Sequence, residues 1–69
     1  MTEHDLKLGD IFVYTDKRAG DKFGNMYCVQ KISPFTIMAT NGKILLLTMQ
    51  IHIEVKLLDM DYMQFRLHD

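Results

Sequence analysis

The chain has little of what marks several protein classes: its 69 residues include no tryptophan, one proline and one cysteine. The single cysteine, Cys28, excludes the intramolecular disulfides that hold small secreted domains together. Eight basic residues against nine acidic residues leave a net charge of −1, without the basic excess that is typical of nucleic-acid-binding domains. The longest aliphatic run, residues 44–47, is far too short to span a bilayer. These absences favour a soluble protein without a membrane segment.

The composition is that of a small folded domain with a surplus of apolar side chains. Hydrophobic residues make up 48% of the chain and charged residues 25%, which indicates a folded chain and not a disordered one. We expect one domain, residues 1–69, whose small interior cannot hold every apolar side chain. An apolar patch on the surface, of the kind that usually contacts a partner, is therefore expected. The N-terminal residues are polar and lack the apolar stretch of a signal peptide, so the expected location is cytoplasmic.

The distribution of β-branched and aromatic residues predicts an all-β domain. Four strands are predicted from the apolar stretches at residues 11–14, 26–32, 35–40 and 43–49. Every second residue from Leu45 to Leu57 is apolar, which extends the fourth strand beyond the usual strand length. A strand of that length predicts a bend or a bulge near residues 48–50.

Two connections and the C-terminal segment complete the predicted organisation. Residues 16–25 are polar, contain two glycines and form the longest loop, and Ser33–Pro34 forms a tight connection because proline cannot donate to a strand ladder. Within residues 60–69, Met63, Phe65 and Leu67 alternate as in a short strand, while helical spacing is the alternative. The prediction is five or six short strands in a small barrel or a strongly bent antiparallel sheet.

The dipeptide Asn41–Gly42 between two apolar stretches predicts a β-hairpin with a two-residue type I′ turn. Such a turn places Ala39 opposite Ile44 and Ile37 opposite Leu46, and directly opposed residues share a face of the sheet. One face of the hairpin then carries Phe35, Ile37, Ala39, Ile44 and Leu46, and the other carries Met38, Leu45, Leu47 and Met49. Because a small core can bury only one of these apolar faces, the other is expected to bind a partner.

The alternation along residues 45–57 indicates which face forms the core. If this strand continues without a bulge, its odd-numbered residues, through Met49 and Ile51 to Val55, face the core. The exposed interface then consists of Phe35, Ile37, Ile44 and Leu46. A bulge near residues 48–50 would instead expose Met38, Leu45 and Leu47. A symmetric homodimer would bury the exposed face, whereas a C-terminal segment folded over it would leave a monomer.

Residues 16–25 are the second predicted contact, because basic and aromatic side chains occur together there. These side chains belong to Lys17, Arg18, Lys22 and Phe23. Loops on a rigid β domain commonly carry recognition, so a protein contact is expected. Nucleic-acid binding is the alternative, with the basic residues on phosphates and Phe23 stacked on a base, although Asp16 and Asp21 reduce the positive charge.

No arrangement of polar residues predicts catalysis. Cys28 lies among apolar residues of a predicted strand, where packing is its expected role. His52 and Glu54 would share a strand face, but a zinc site needs a third ligand that is not placed. Asp59 and Asp61 lack the glycine and the distant glutamate of a calcium loop. We therefore expect a protein that is not an enzyme and that uses no cofactor and no metal.

The order of the predicted elements resembles that of small SH3-like β-barrels. Residues 6–13, with Gly9–Asp10 before the apolar stretch, are similar to the first strand of such barrels. The places of the successive barrel loops are taken by residues 16–25, Ser33–Pro34 and Asn41–Gly42. Without tryptophan, the chain lacks the aromatic signature of the members that bind proline-rich peptides. This resemblance implies a fold and not a function.

The small size and the methionine and lysine content also resemble accessory proteins of large bacteriophages, which bind and inhibit host proteins. Together with the surplus apolar surface, this predicts a non-enzymatic protein-interaction module. Its partner is a second copy in a homodimer, or a host protein that it modulates. A small barrel that binds nucleic acid through residues 16–25 is the alternative.

Overall fold

The computed structural model describes residues 1–60, which form a five-stranded antiparallel sheet and confirm the predicted all-β fold. The strands are β1 (Ile11–Tyr14), β2 (Met26–Lys31), β3 (Phe35–Ala39), β4 (Ile44–Thr48) and β5 (Val55–Leu57), in the spatial order β4-β3-β2-β1-β5. Two 3₁₀ helices, Glu3–Asp5 and Lys17–Lys22, precede and follow β1. Beyond Met60, the strand or helix predicted for the C-terminal segment lies outside the described residues.

The connections occur at the predicted positions. Residues 16–25 contain the second 3₁₀ helix, which begins where the Asp16 carboxylate accepts the backbone N–H of Arg18 at 2.9 Å. Ser33–Pro34 joins β2 to β3 through a cis peptide bond. After β4 the chain returns to β1, and β5 pairs antiparallel with β1 so that Lys56 lies opposite Val13. Within residues 1–60 the two edges of the sheet are therefore β4 and β5.

One face of the sheet forms the main core, in which three aromatic rings pack together. The rings of Phe12 and Tyr14 lie 5.0 Å apart at 79°, and those of Tyr14 and Tyr27 lie 5.6 Å apart at 68°. These are the edge-to-face arrangements that aromatic pairs prefer. Phe35 and Ile37 of β3 are fully buried in the same core. The prediction that Phe35 and Ile37 belong to an exposed interface is therefore wrong.

The reason for this difference is a one-residue shift in the register of the β3–β4 hairpin. The backbone N–H of Ala39 donates to the carbonyl of Lys43 at 2.9 Å, and that of Gly42 donates to the carbonyl of Ala39 at 2.9 Å. Three residues, Thr40 to Gly42, thus form the loop, and Gly42 has a φ of 85°. A type I turn followed by a left-handed glycine needs a positive φ at Gly42 alone, whereas the predicted type I′ turn needs one at Asn41 as well.

The shifted register decides which side chains of β4 face the core. Met38 lies opposite Ile44, and Ile37 lies opposite Leu45. Directly opposed residues share a face, so Leu45 and Leu47 turn inward with Ile37, while Ile44 and Leu46 turn outward. Leu45 and Leu47 accordingly pack against the main core as partly buried side chains. The predicted exposure of Ile44 and Leu46 agrees with the structure, although the residues opposite them differ from those predicted.

The long apolar alternation is interrupted at the predicted place. β4 ends at Thr48, whose φ of 65° turns the chain away from the sheet. Ile53 and Val55 return to the core and are buried. Met49 and Ile51, which an uninterrupted strand would have placed in the core, are 65% and 49% exposed because the strand ends at Thr48. The predicted bend near residues 48–50 is confirmed, because it separates β4 from β5. The prediction that such a bulge exposes Met38, Leu45 and Leu47 is wrong, since Met38 is 4% exposed and both leucines pack against the main core.

Replacing Thr48 with glycine should stabilise the domain by about 1 kcal/mol. A β-branched residue in the left-handed region stores about 1–3 kcal/mol of backbone strain, and the extra chain entropy of glycine offsets only part of that gain. Thermal unfolding measures the change, with an expected rise in Tm of about 4–8 °C. Thr40→Gly is the matched control, since Thr40 lies in the turn without a positive φ. Equal shifts for the two variants would contradict strain at Thr48.

Candidate protein-docking surface

The backbone of β4 has one side without a neighbouring strand in the described part of the chain. Lys43 accepts a hydrogen bond from Ala39, so its carbonyl is directed toward β3. The backbone groups of an antiparallel strand point alternately to its two sides. The N–H and C=O of Leu45 are therefore also directed toward β3, whereas those of Ile44 and Leu46 are directed away from it. The free edge of β4 thus presents the backbone N–H and C=O groups of Ile44 and Leu46.

The side chains at this edge are aliphatic and exposed. Ile44 is 54% exposed and Leu46 is 60% exposed, both on the outer face of the sheet. Native edge strands are commonly protected by charges, proline or a covering element, but the sequence of β4 is Ile-Leu-Leu-Leu-Thr. We call Ile44, Leu46 and the free backbone edge of β4 the β4 edge surface. Within residues 1–60, this surface lacks the features that commonly protect an edge strand from pairing.

The apolar part of the outer face on β1, β2 and β3 is covered, unlike the β4 edge surface. Ile11, Cys28 and Met38 form a second buried cluster on this side of β1, β2 and β3. Leu58 and Met60, which follow β5, pack against that cluster. Leu58 is held in place because its N–H donates to the carbonyl of Ile11 at 2.8 Å. Among the described residues, Leu58 and Met60 therefore cover the outer face as far as Met38 of β3, and Ile44 and Leu46 of β4 stay exposed.

A buried carboxylate, which no sequence pattern indicates, holds the segment after β4 against β1. Glu3 is only 3% exposed. Its carboxylate accepts the Tyr14 hydroxyl at 2.5 Å and the backbone N–H of Ile51 at 3.0 Å, and its own N–H donates to the carbonyl of Ile53 at 3.1 Å. Burial, and then the hydrogen bond to Glu3, raises the pKa of the Tyr14 hydroxyl far above its usual range. These bonds fix residues 51–53 beside the core.

The four residues of the second predicted contact lie in different environments. They are Lys17, Arg18 and Lys22 of the second 3₁₀ helix and Phe23 directly after it. The Arg18 guanidinium donates to the Asp16 carboxylate at 2.6 Å, and this bond lowers the pKa of Asp16. The Lys22 ammonium lies 5.8 Å from the centre of the Tyr14 ring, and Phe23 is 43% exposed. Lys17 is exposed. Arg18 and Lys22 line a cleft that also contains Leu47, so these two side chains lie on the inner side of β4, away from Ile44 and Leu46. Lys17 and Phe23 do not line this cleft.

The polar groups considered for chemistry have structural environments. Cys28 is buried, as predicted, and burial raises the pKa of its thiol. His52 is not part of a strand and stacks on the ring of His4, with a centroid distance of 4.0 Å and an angle of 24°. No group of three or more histidine, cysteine, aspartate or glutamate side chains within residues 1–60 could hold a metal ion.

Neither the helices within residues 1–60 nor the comparisons with known proteins indicate another functional site. None of the helices in residues 1–60 has the length and apolar character needed to cross a membrane. No protein-family model matches the chain, and comparison with curated proteins and with solved structures finds no similar protein. The β4 edge surface is thus the candidate site on the basis of its own geometry.

Proposed function

We propose that the protein is a non-enzymatic protein-interaction module that pairs with other chains through the β4 edge surface, beginning with a second copy of itself. The observation that carries this proposal is the coincidence of a free backbone edge with exposed aliphatic side chains at Ile44 and Leu46. Adding a strand to such an edge is a common mode of protein recognition, because backbone hydrogen bonds supply affinity and alternate side chains supply specificity.

A second copy fits the edge by symmetry. When two β4 strands pair antiparallel about a two-fold axis at Leu45, Ile44 of each copy lies opposite Leu46 of the other. Both residues direct their backbone groups outward, so each such pair exchanges two hydrogen bonds. The four aliphatic side chains then form one continuous row on the outer face of a ten-stranded sheet. A self-complementary contact of this kind is the usual basis of a C2 dimer.

The strand order also supports the resemblance to a small SH3-like barrel. The long connection after β1, the β2–β3–β4 meander and the return of β5 to β1 agree with the element order of that fold. A cytoplasmic modulator of a host protein, the role implied by the resemblance to bacteriophage accessory proteins, would use the same edge for a strand of its target. The partner in that case competes with the second copy.

The solution mass of the Leu46→Asp variant tests the proposal. Light scattering after size exclusion, across a concentration series, should show a dimer for the wild type and a folded monomer for Leu46→Asp, because a charge in the aliphatic row opposes its burial. Leu8→Asp is the matched control, since Leu8 is 68% exposed in the turn before β1 and should leave the dimer intact. A monomeric wild type, or a dimer in both variants, would contradict self-pairing through β4.

Nucleic-acid binding through residues 16–25 remains the second candidate function, with weaker support. The exposed Phe23 and Lys17 favour it, but Arg18 is already neutralised by Asp16. The overall charge of −1 also opposes a phosphate backbone. Binding of a labelled oligonucleotide that is lost at Lys17→Glu and retained at Leu46→Asp would support this function.

A further inference from the structure

A groove lies between the second 3₁₀ helix and the inner face of β4, on the other side of this strand from Ile44 and Leu46. It consists of two adjoining clefts, of about 180 Å³ and about 410 Å³, which share Lys22 and Leu47. Leu45 and Leu47 are only half-buried, so the inner face of β4 forms an apolar wall that remains accessible. Two open clefts side by side suit an extended chain segment, which can place successive side chains in each of them.

Two lysines line the larger cleft, and neither forms an ion pair with a carboxylate of the described residues. Lys22 belongs to the second 3₁₀ helix, and Lys43 lies between the hairpin loop and β4. The two ion pairs that the structure shows among residues 1–60 involve neither lysine. Asp21 is the one acidic residue among the described residues that line this cleft. The cleft therefore has an excess of positive charge, although the net charge of the whole chain is −1.

A tyrosine hydroxyl adds a hydrogen-bond donor to the same cleft. Tyr27 lines it, and its hydroxyl makes no hydrogen bond to any residue from 1 to 60. Every fully buried polar side-chain atom in that part of the chain has a hydrogen-bond partner, so the Tyr27 hydroxyl keeps some contact with solvent although the residue as a whole is only 4% exposed. It can donate to an acceptor bound between Lys22 and Lys43.

Cationic groups and a hydroxyl donor beside an aliphatic wall match a carboxylate that adjoins an apolar group. We propose that the groove binds an extended segment of a partner protein in which an aspartate or glutamate stands next to an aliphatic residue. The carboxylate lies between Lys22 and Lys43, and the aliphatic side chain packs on Leu45 and Leu47. This site goes beyond the pairing of β4 edges, because it uses the inner face of the strand and leaves the outer edge free.

Selection from a displayed library of random peptides on the immobilised full chain tests this specificity without choosing a ligand in advance. We expect the enriched peptides to carry an acidic residue adjacent to leucine, isoleucine, valine or methionine. Fluorescence anisotropy should show that an enriched peptide binds about tenfold more weakly to Lys22→Glu and to Lys43→Glu, because each change replaces an attraction with a repulsion. Lys56→Glu, which reverses an exposed lysine on β5, is the matched control and should bind as the wild type does.

Several results would overturn the proposal. These are the absence of enrichment, enrichment of basic or proline-rich peptides, and equal affinity of Lys43→Glu and Lys56→Glu for an enriched peptide. Binding of a labelled single-stranded oligonucleotide that is lost at Lys43→Glu, without peptide enrichment, would assign the groove to nucleic acid. Leu46→Asp separates this site from the proposed function, since it should abolish self-association and leave peptide binding unchanged. Circular dichroism and thermal unfolding of each variant distinguish loss of binding from loss of fold.

Discussion

Replacing Phe35 with alanine should destabilise the domain by about 3–5 kcal/mol, the usual effect of truncating a buried phenylalanine. The side chain is fully buried in the main core and belongs to β3, which has a strand on each side. Total stabilities of domains are about 5–15 kcal/mol, and a chain of 69 residues buries only a modest core. We therefore expect Phe35→Ala to keep only a small part of the wild-type free energy of unfolding. Urea unfolding followed by circular dichroism measures the difference.

Leu46→Ala is the comparison that makes this prediction specific. The type I′ turn places Phe35 and Leu46 on one exposed face, whereas the observed register buries Phe35 and leaves Leu46 60% exposed. At concentrations where the protein is monomeric, Leu46→Ala should change the free energy of unfolding by no more than about 0.5 kcal/mol. Equal destabilisation by the two substitutions would contradict the three-residue hairpin loop.

Replacing Glu3 with alanine should lower the free energy of unfolding by about 2–4 kcal/mol. The substitution leaves the Tyr14 hydroxyl and the Ile51 N–H without their acceptor, and a hydrogen bond to a charged group contributes about 1.5–3 kcal/mol. The substitution also removes the free-energy cost of desolvating a buried carboxylate, which offsets part of that loss. Asp5→Ala, which removes an exposed carboxylate that accepts the N–H of Thr2, is the control and should have a smaller effect. Similar losses for both variants would contradict the role of the buried carboxylate.

The same contact predicts a loss of stability in alkaline solution. In the folded state the pKa of Tyr14 lies far above its usual range, so the hydroxyl keeps its proton while the unfolded chain loses it above about pH 10. The folded state then binds more protons than the unfolded state, and stability falls as pH rises, by up to about 1.4 kcal/mol per pH unit. Urea unfolding between about pH 8 and pH 11 measures this slope. It should be reduced in Tyr14→Phe, and an unchanged slope in that variant would contradict the assignment.

The strands could be predicted because their signal is local. The β-branched and aromatic composition of residues 11–14 predicts a strand with the same bounds as β1, and the alternation after Leu45 predicts both the core contact of Ile53 and the bend near Thr48. The hairpin register was not predictable in this way. Asn41–Gly42 is compatible with two loops that differ by one residue, and a shift of one residue exchanges the two faces of a strand.

The candidate site was predictable only in part. Surplus apolar side chains indicated an exposed patch, and Ile44 and Leu46 are exposed, but Phe35 and Ile37 belong to the core because the register shifts. The burial of Glu3 depends on Tyr14 and Ile51, which are distant in sequence, so no local pattern indicates it. Likewise, the groove between residues 16–25 and β4 exists only once the sheet has brought them together.

Amide hydrogen exchange of Ile44, Leu45 and Leu46, measured by NMR at low and high protein concentration, tests the pairing of β4 most directly. The Leu45 amide is directed toward β3 and should be protected at both concentrations. The amides of Ile44 and Leu46 should exchange rapidly in the monomer and become protected at high concentration, as the free edge pairs with a second copy. Rapid exchange of both amides in a dimeric sample, or a monomer at every concentration, would contradict self-pairing through this edge.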